Sequence, residues 1–502
     1  MATVETWLHQ QAAAQPNASC LQVEQHHFTF KELALEVDQA AGKIQAHGWH
    51  AGPVGIWLPD GVAMILTLWA VSRTGGVVLP LHDRLQVDEL LDNLARTGCS
   101  RLITTRERAA QLRGRLPDDL VVLPLKELLR SDGPRLPGVI GDAMPPRDHD
   151  LHAIVMTSGT TGQPKAVQLT YGNQRAGSDG WISFLSLSPE DHYLSALPLS
   201  HVAGMGVLLR GARAGIPVTC LPSGDAATIN AQLDKGNITH VSLVPTQLQR
   251  MLIERNGQAF RSTVKAIILG GAPASPALIT AALQHRAPLV LTYGMTETAA
   301  GFTALKVTDQ PGKRGSVGRP FGEGQIAIVD DAGLQLPTGE TGLIRVKSSA
   351  VMTGYRGQPP LRDGVYTTGD YGRLDEDGFL YLEPGRSLLI ISGGENVDPL
   401  EVESALLDMP GVADVCVVGL PDEDLGQRVV AVLKAQTPGT NVDSLARLCR
   451  QRMAGYKVPR AWVIWASLPR SASGKLRRAE IRRRLLAGDA AAHQSVADSG
   501  NR

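Results

Sequence analysis

Short apolar runs alternate with amphipathic stretches from Phe30 to about residue 300, and this alternation constrains the fold more than any other feature of the chain. The runs are too short for helices, whereas the stretches that follow them have the apolar spacing of helices. Repeated strand and helix units of this kind form parallel sheets with helices on their faces. Because ligands of such sheets bind beyond the carboxyl ends of the strands, the residues after each run are the first candidates for a functional site.

The pattern changes twice in the second half of the chain. After residue 315, Gly-punctuated strands predict a smaller antiparallel sheet or barrel, and from about Ser387 the pattern predicts a compact α+β unit. We therefore expect an α/β fold with three parts. A large N-terminal domain (1–385) contains parallel α/β sheets and a small β-barrel-like subdomain, a small mobile α+β C-terminal domain (386–488) follows, and a disordered tail (489–502) ends the chain.

Composition narrows the class of partners. Lys and Arg together number 49 and Asp and Glu together number 49, so the zero net charge provides no field that would attract nucleic acid or an anionic membrane. The five scattered cysteines disfavour a disulfide framework and a zinc site. The beginning of the chain resembles no secretory signal, and its apolar stretches are shorter than the ~20 residues of a membrane span. We expect a cytoplasmic protein with small-molecule ligands, no nucleic-acid partner and no stable membrane insertion. A homodimer is one possible oligomeric state.

A run of hydroxyl and glycine residues, T-S-G-T-T-G-Q-P-K, directly follows the apolar run A-I-V-M. Its glycines let backbone N–H groups approach an anion, its hydroxyls add donors and its lysine adds charge, which is what a polyphosphate requires. It is not a Walker A loop, because Pro164 and Ala166 stand where that motif has Gly and Ser or Thr. A flexible turn is the alternative. The candidate phosphate-binding residues are Thr157, Ser158, Gly159, Thr160, Thr161 and Lys165.

Two further motifs follow the buried runs A-I-I-L and L-V-L-T. After the first, a glycine turn offers backbone against which a flat adenine can lie. After the second, Y-G-M-T-E-T provides an aromatic ring for stacking on a base, and a carboxylate beside a hydroxyl that can hold Mg²⁺ on phosphate oxygens. The candidate nucleotide-binding residues here are Gly270, Gly271, Ala272, Tyr293, Gly294, Thr296 and Glu297, with Glu297 as the metal ligand.

Two single residues complete the set of candidates. Asp370 ends the run T-T-G-D, where an acidic side chain can accept hydrogen bonds from ribose hydroxyls, although an ordinary turn aspartate is the alternative. Lys475 ends the run S-A-S-G-K just before a basic helix. Lysines of such helices are usually solvated, but Lys475 is predicted to lie on the loop.

Together and in this order, the motifs closely resemble the adenylate-forming superfamily of acyl-CoA synthetases, adenylation domains and luciferases. The resemblance covers nearly the whole chain and includes the strings at Arg314–Pro320 and Ser392–Glu403. It implies that a carboxylate oxygen attacks the α-phosphate of ATP, forming acyl-AMP and displacing pyrophosphate, and that a thiol then attacks the acyl carbon and displaces AMP. The first step needs charge compensation more than covalent help. The implied cofactors are ATP, Mg²⁺ and coenzyme A.

The resemblance also implies residue roles. Lys475 would bridge the substrate carboxylate and the α-phosphate, which Thr296 would also contact. Tyr293 and Gly271 would frame the adenine, and Asp370 would hold the ribose.

The same resemblance implies that the C-terminal domain rotates between the two steps. The rotation would withdraw the lysine and present the loop of Ser392, Gly393 and Gly394 to coenzyme A. Arg386 would help Asp370 on the ribose. The stretch before the loop is one residue shorter than the family pattern, so either Ser387 or Leu388 is the hinge.

Within the superfamily, the strings at Leu197–Arg210 and Thr239–Leu248 resemble the o-succinylbenzoate–CoA ligases of menaquinone biosynthesis. Their substrate is a dicarboxylate whose aromatic carboxylate must be recognised without reacting, and a buried anion needs a partner. Arg210 is the candidate partner, with a surface arginine as the alternative. The resemblance implies that His201 is a gate between the ATP and acyl sites. The other candidate residues around the acyl group are Met205 and the small residues Gly204 and Ala299, which leave room for an aromatic acid.

Other functions remain open at this point. An aryl or medium-chain acyl-CoA synthetase would share every motif except the role of Arg210. A stand-alone adenylation enzyme that loads a carrier protein would differ in its thiol, and a luciferase-like oxygenase would share only the first step. A non-catalytic nucleotide-binding regulator is disfavoured, because a pure binder needs no lysine at position 475.

Overall fold

The computed structural model describes residues 4–128, 146–158, 164–221, 224–383, 390–392, 395–422, 425–437, 440–453, 455–470 and 476–488. Within these ranges, no helix is both long enough and apolar enough to cross a membrane.

The helices of the described residues vary from a single turn to 17 residues. They are α1 (Val4–Ala14), α2 (Phe30–Ala46), α3 (Val62–Arg73), α4 (Val87–Thr97), α5 (Arg106–Gln111), α6 (Leu125–Leu128), α7 (Tyr171–Leu185), α8 (Val202–Ala214), α9 (Ala226–Asp234), α10 (Pro245–Arg255), α11 (Pro276–Gln284), α12 (Pro399–Leu407), α13 (Val442–Arg452) and α14 (Arg478–Leu486). Short 3-10 turns lie at Thr296–Thr298, Pro311–Lys313 and Gly455–Lys457.

The strands follow in chain order. They are β1 (Ser19–Val23), β2 (His26–Thr29), β3 (Pro53–Trp57), β4 (Val77–Pro80), β5 (Arg101–Thr104), β6 (Val121–Pro124), β7 (Leu151–Ser158), β8 (Pro164–Thr170), β9 (Tyr193–Ser195), β10 (Val218–Cys220), β11 (His240–Leu243), β12 (Ala266–Leu269), β13 (Leu289–Tyr293), β14 (Thr303–Lys306), β15 (Arg319–Pro320), β16 (Gln325–Val329), β17 (Gly342–Lys347), β18 (Gly354–Tyr355), β19 (Val365–Leu374), β20 (Leu380–Glu383), β21 (Ile390–Ser392), β22 (Glu395–Val397), β23 (Val412–Asp422), β24 (Gly426–Ala435) and β25 (Ala461–Ile464).

Local sequence explains where these elements begin and end. Thr29 and Glu32 form a capping box that satisfies free backbone N–H groups at the start of α2, and Gly98 ends α4 in the left-handed conformation. The strands β4, β9, β11 and β12 are buried along their whole length, as expected of strands covered on both faces. The longest apolar stretch of the sequence forms α3, which is apolar on all sides and lies in the main core.

The chain divides into two compact units. The larger contains the described residues up to Thr157, with Pro164–Thr368 and Arg373–Tyr381. Its first sheet has the order β15-β14-β13-β12-β11-β9-β10-β1-β2, and its second has the order β18-β8-β7-β4-β3-β5-β6. From β13 to β1 the neighbouring strands of the first sheet are parallel. A separate four-stranded sheet has the order β16-β17-β19-β20.

The smaller unit runs from Leu382 onward and also takes Ser158 at the end of β7 and the stretch Gly369–Gly372 of β19. Its sheet has the order β22-β21-β24-β23, with β25 paired to β24, and α12, α13 and α14 accompany it. The predicted fold class, parallel α/β sheets followed by a small α+β part, is therefore confirmed. The exact boundary at residue 385 stays a prediction, and the tail at 489–502 lies outside the described residues.

Candidate active site

The carboxyl ends of parallel strands bring distant segments of the larger unit to one edge of the nine-stranded sheet. The Gly-Gly-Ala turn follows β12, the Y-G-M-T-E-T motif begins at the end of β13, and the segment leading to His201 follows β9. Because β9, β11, β12 and β13 are parallel neighbours, these three segments emerge at the same edge. This edge is where ligands of open parallel sheets bind.

Two glycines in these segments are required by close packing. A Cβ on Gly270 would lie 2.7 Å from Cγ2 of Thr292, and a Cβ on Gly294 would lie 2.0 Å from the carbonyl oxygen of Ala300. Gly271 has a φ of 80°, which favours glycine, and it is exposed like Ala272. Tyr293 ends β13 and is 8% exposed. The turn is therefore open to a ligand while the glycines around it hold the backbone close together.

Glu297 lies in the 3-10 turn Thr296–Thr298 and is 9% exposed. Its Oε1 accepts a hydrogen bond of 2.7 Å from the hydroxyl of Tyr355, and that hydroxyl lies 2.8 Å from the hydroxyl of Tyr366. Burial, aided by the hydrogen bonds to Tyr366 and Glu297, raises the pKa of Tyr355, so its hydroxyl remains a donor. The carboxylate is thus fixed in one orientation.

Strand β8 connects this carboxylate to the hydroxyl-rich run. The 3-10 turn packs against β8, and Tyr355 pairs with Val167 of the same strand. Lys165 is the second residue of β8, and its Nζ lies 4.9 Å from the centroid of the Tyr355 ring. Thr157 donates a hydrogen bond of 3.4 Å to the Lys165 carbonyl across the ends of the run. The sequence-predicted phosphate and metal ligands Lys165 and Glu297 therefore both neighbour Tyr355.

The donor set at this place fits a magnesium ion held on a nucleotide. Glu297 supplies a buried carboxylate whose second oxygen, Oε2, makes no hydrogen bond within the described part of the chain. Mg²⁺ prefers one or two carboxylate oxygens together with phosphates and water. Among the described residues, no group of three or more His, Cys, Asp and Glu side chains could hold a metal without such a ligand.

The segment before His201 is held by residues that sequence reasoning missed. Asp60 accepts the N–H of Leu199 through both carboxylate oxygens, at 3.2 and 3.4 Å. The ring of His82 lies 5.6 Å from the ring of His201, and burial lowers the pKa of His82. Neither Asp60 nor His82 belongs to a recognisable motif, so only the tertiary fold connects them to His201.

Arg210 is buried, with 4% of its surface exposed, so the alternative of a surface arginine is wrong. Its guanidinium carbon lies 5.5 Å from the ring of Trp181 and 5.3 Å from the ring of Tyr193. A Cβ built on Gly206 would lie 3.4 Å from Nη1 of Arg210 and 4.0 Å from Cβ of Ala300. The guanidinium therefore lies close to the segment that carries Glu297, as expected for a group that recognises the acyl part of the substrate.

One prediction about room for the acyl group needs correction. Gly204 opens no space, because its missing side chain is replaced by the carbonyl of Pro198, 2.3 Å from where a Cβ would be. Met205 is 3% exposed and Ala299 is 6% exposed, and both pack in the main core. A Cβ built on Gly177 of α7 would lie 3.2 Å from Cβ of Ala299. A place beside the acyl group stays a prediction for Met205 and Ala299.

The other predicted residues lie in the smaller unit or outside the described residues. Asp370 is exposed on β19 and Ser392 is 5% exposed at the end of β21, both in the smaller unit. The backbone of Ser158 ends β7. The remaining predictions lie outside the described residues: Gly159, Thr160, Thr161, Arg386, Ser387, Leu388, Gly393, Gly394 and Lys475.

The fold and site define a nucleotide-binding enzyme built from a large α/β unit and a small α+β unit. Residues 8–356 match the family described as AMP-binding enzyme, and residues 401–475 match the AMP-binding enzyme C-terminal domain. The chain therefore belongs to the AMP-binding enzyme family.

Relatives within the family are similar over almost the whole chain. The 2-succinylbenzoate–CoA ligase of Bacillus cereus (strain Q1) is 33% identical, covering 96% of this chain and 99% of its own. The ligase of the same name from Bacillus mycoides (strain KBAB4) is 34% identical over 96% and 99%. The o-succinylbenzoate CoA synthetase of Bacillus subtilis, solved with its acyl-adenylate intermediate, is 30% identical, with a TM-score of 0.87 over 95% of this chain and 98% of that one. The same synthetase has been solved with ATP and magnesium ion.

Proposed function

We propose that this chain is an AMP-forming acid–thiol ligase that converts o-succinylbenzoate to o-succinylbenzoyl-CoA, a step of menaquinone biosynthesis. Sequence identity of 30% or more to ligases of this name over almost the whole chain supports both the class of reaction and the choice of o-succinylbenzoate as the acid. The substrates are ATP, the acid and coenzyme A, and Mg²⁺ accompanies the ATP.

The residues divide the chemistry between them. The aliphatic carboxylate of the acid attacks the α-phosphorus, and the bond from that phosphorus to pyrophosphate breaks. We assign the compensation of phosphate charge to Lys165, and we assign contact with the adenine to the glycine turn after β12. Glu297, held by Tyr355, is the carboxylate that would ligate Mg²⁺, and the ion would supply positive charge against the phosphate oxygens. We assign the bridging role between carboxylate and phosphate to Lys475.

One observation carries the choice of a dicarboxylic acid. Arg210 is buried, and within the described residues its guanidinium makes no ion pair and only one hydrogen bond, of 3.4 Å to the hydroxyl of Tyr193. Its Nε is buried without a hydrogen-bond partner. A buried cation without an anion is unfavourable, so we infer that the bound ligand supplies the anion that pairs with Arg210. The aromatic carboxylate of o-succinylbenzoate is such an anion.

The setting of the reaction follows from less specific observations. The five cysteines are all free and buried, which fits a reducing compartment, and we infer a cytoplasmic location. We keep a homodimer as an open proposal, to be tested by light scattering.

The experiment compares o-succinylbenzoate with 4-oxo-4-phenylbutanoate, which lacks only the aromatic carboxylate. The chain should prefer the dicarboxylate, and Arg210→Ala should lower kcat/KM for it by at least about 30-fold, because removing one partner of a buried charge pair costs about 2 kcal/mol or more. The same variant should change kcat/KM for the monocarboxylate little.

Arg213→Ala is the matched control. Arg213 lies on the same helix but pairs with Asp179, so its loss should leave the preference intact. If the native chain prefers the monocarboxylate or a medium-chain acid, it is still a ligase, but o-succinylbenzoate is not its acid substrate. Failure to form a thioester with coenzyme A would favour a carrier-protein thiol.

A further inference from the structure

Two buried hydroxyl groups, those of Tyr193 and Ser242, continue the hydrogen bonding that begins at Arg210. The hydroxyl of Tyr193, at the start of β9, accepts the hydrogen bond from Nη2 of Arg210 and lies 2.9 Å from Oγ of Ser242 on β11. Tyr193 and Ser242 are at most 6% exposed, and β9 and β11 are adjacent parallel strands. The contact is therefore fixed by the sheet rather than by a loop.

The chemistry of the guanidinium fixes the direction of the first contact. A guanidinium has donors and no acceptor, so it can only donate to Tyr193. The phenol oxygen has two lone pairs, so either hydroxyl can be the donor between Tyr193 and Ser242. Removing the hydroxyl of Tyr193 removes its hydrogen bond with Arg210, while the aromatic face of residue 193 can be kept by phenylalanine.

The imidazole that stacks on the ring of Tyr193 adds no charge that would compete for Arg210. The ring of His240 stacks on the ring of Tyr193, with centroids 5.7 Å apart, and its Nδ1 lies 2.7 Å from Oγ1 of Thr239. Burial lowers the pKa of His240 to about 4, so the imidazole is neutral at physiological pH. Behind it, the buried carboxylate of Asp191 is paired with Lys265 at 2.7 Å. Arg210 thus keeps its positive charge available instead of pairing with Asp191.

We propose that Tyr193, held by Ser242, is a positioning residue that orients the guanidinium of Arg210 toward the non-reacting carboxylate and so sets the preference for a dicarboxylic acid. The proposal rests on the proposed function and adds a specificity determinant outside every sequence motif. Tyr193 acts through Arg210 and takes no part in phosphoryl or acyl transfer.

The test measures a discrimination ratio, kcat/KM for o-succinylbenzoate divided by kcat/KM for 4-oxo-4-phenylbutanoate. Tyr193→Phe keeps the ring and removes the hydroxyl, so the ratio should fall about 3- to 10-fold, the worth of one hydrogen bond. The fall should come from a higher KM for the dicarboxylate, with kcat and the KM for ATP unchanged. Ser242→Ala should lower the ratio in the same direction by a smaller factor.

Tyr171→Phe is the matched control. It also removes a buried tyrosine hydroxyl, one that donates to the carbonyl of Ser72 at 3.3 Å, so it should leave the ratio unchanged. An unchanged ratio in Tyr193→Phe, or an equal fall in Tyr171→Phe, overturns the proposal. If Tyr193→Phe does not fold, an unchanged ratio in Ser242→Ala overturns it as well.

The outcomes separate this proposal from the proposed function. If the native chain shows no preference for o-succinylbenzoate, the proposed substrate is wrong whatever Tyr193 does. If Arg210→Ala abolishes the preference and Tyr193→Phe does not, the substrate stands and the positioning role fails.

Discussion

Asp60 destabilises the folded chain when it is ionised, and its contact with Leu199 positions the segment that carries His201. Replacing Asp60 should therefore raise the free energy of unfolding and lower activity. Burial raises the pKa of Asp60 from 3.8 to about 6, and the neighbouring Asp83 carboxylate adds to the rise, whereas the N–H of Leu199 and Arg84 oppose it. A carboxyl whose pKa is higher in the folded chain favours folding while protonated. That contribution is present below pH 3.8 and is lost as the pH rises through 6.

The size of the effect follows from the shift. Ionisation of Asp60 in the folded chain should cost about 3 kcal/mol at pH 8 and about 1.5 kcal/mol at pH 5. The side chain that Asp60→Asn introduces is neutral at both values and keeps an oxygen that accepts the N–H of Leu199. We therefore expect the variant to unfold at higher urea concentration than the native chain at pH 8, with the advantage about halved at pH 5.

Activity should change in the opposite direction. The hydrogen bond from Leu199 to an ionised carboxylate is stronger than one to an amide, and it holds the segment that carries His201. We expect kcat to fall about 5-fold with the KM for ATP unchanged, which corresponds to about 1 kcal/mol. A stability difference that is the same at pH 5 and pH 8, or an Asp60→Asn chain less stable than the native one at pH 8, would refute the reasoning.

Two further substitutions test the nucleotide site. Tyr355→Phe removes the hydroxyl that orients Glu297, so the Mg²⁺ concentration for half-maximal pyrophosphate release should rise several-fold. Tyr366→Phe removes a hydroxyl that lies 2.8 Å from that of Tyr355, so it should have a smaller effect, and equal effects would contradict the assignment. Gly294→Ala would place a Cβ 2.0 Å from the Ala300 carbonyl and displace the backbone that carries Glu297. The rate of adenylation should therefore fall more than 10-fold. Gly312→Ala is the control and should be tolerated, because a Cβ there would have no atom within 4 Å.

The layered fold could be predicted because its signals are local. Continuous apolar strands such as β12 and amphipathic helices such as α4 differ in length and spacing, and that difference is enough to indicate a parallel sheet. Strand order could not be predicted. The placement of β9 between β10 and β11 follows from packing over the whole unit, and no local spacing records it.

The candidate site was predictable where motifs carry it and not elsewhere. Lys165 and Glu297 were identified from runs that follow strands, and the structure places both beside Tyr355. Tyr355 itself was missed, since a tyrosine after a glycine in an antiparallel region has no distinguishing pattern. Gly204 was misread for a related reason, because a glycine that makes room for a ligand and one that makes room for a carbonyl look the same in a sequence.

Two equally buried arginines have different surroundings, and the difference supports the proposed role of Arg210 in binding a ligand. Arg255 is also 4% exposed, but it bonds to Asn230 and Asp234 and to two backbone carbonyls. Every side of that guanidinium is satisfied within the chain, as a structural cation requires. Arg210 is stabilised by the faces of Trp181 and Tyr193 and one hydroxyl, which attract a cation without neutralising it. A cation held in this way can still bind a carboxylate, which is the role that we propose for Arg210 and not for Arg255.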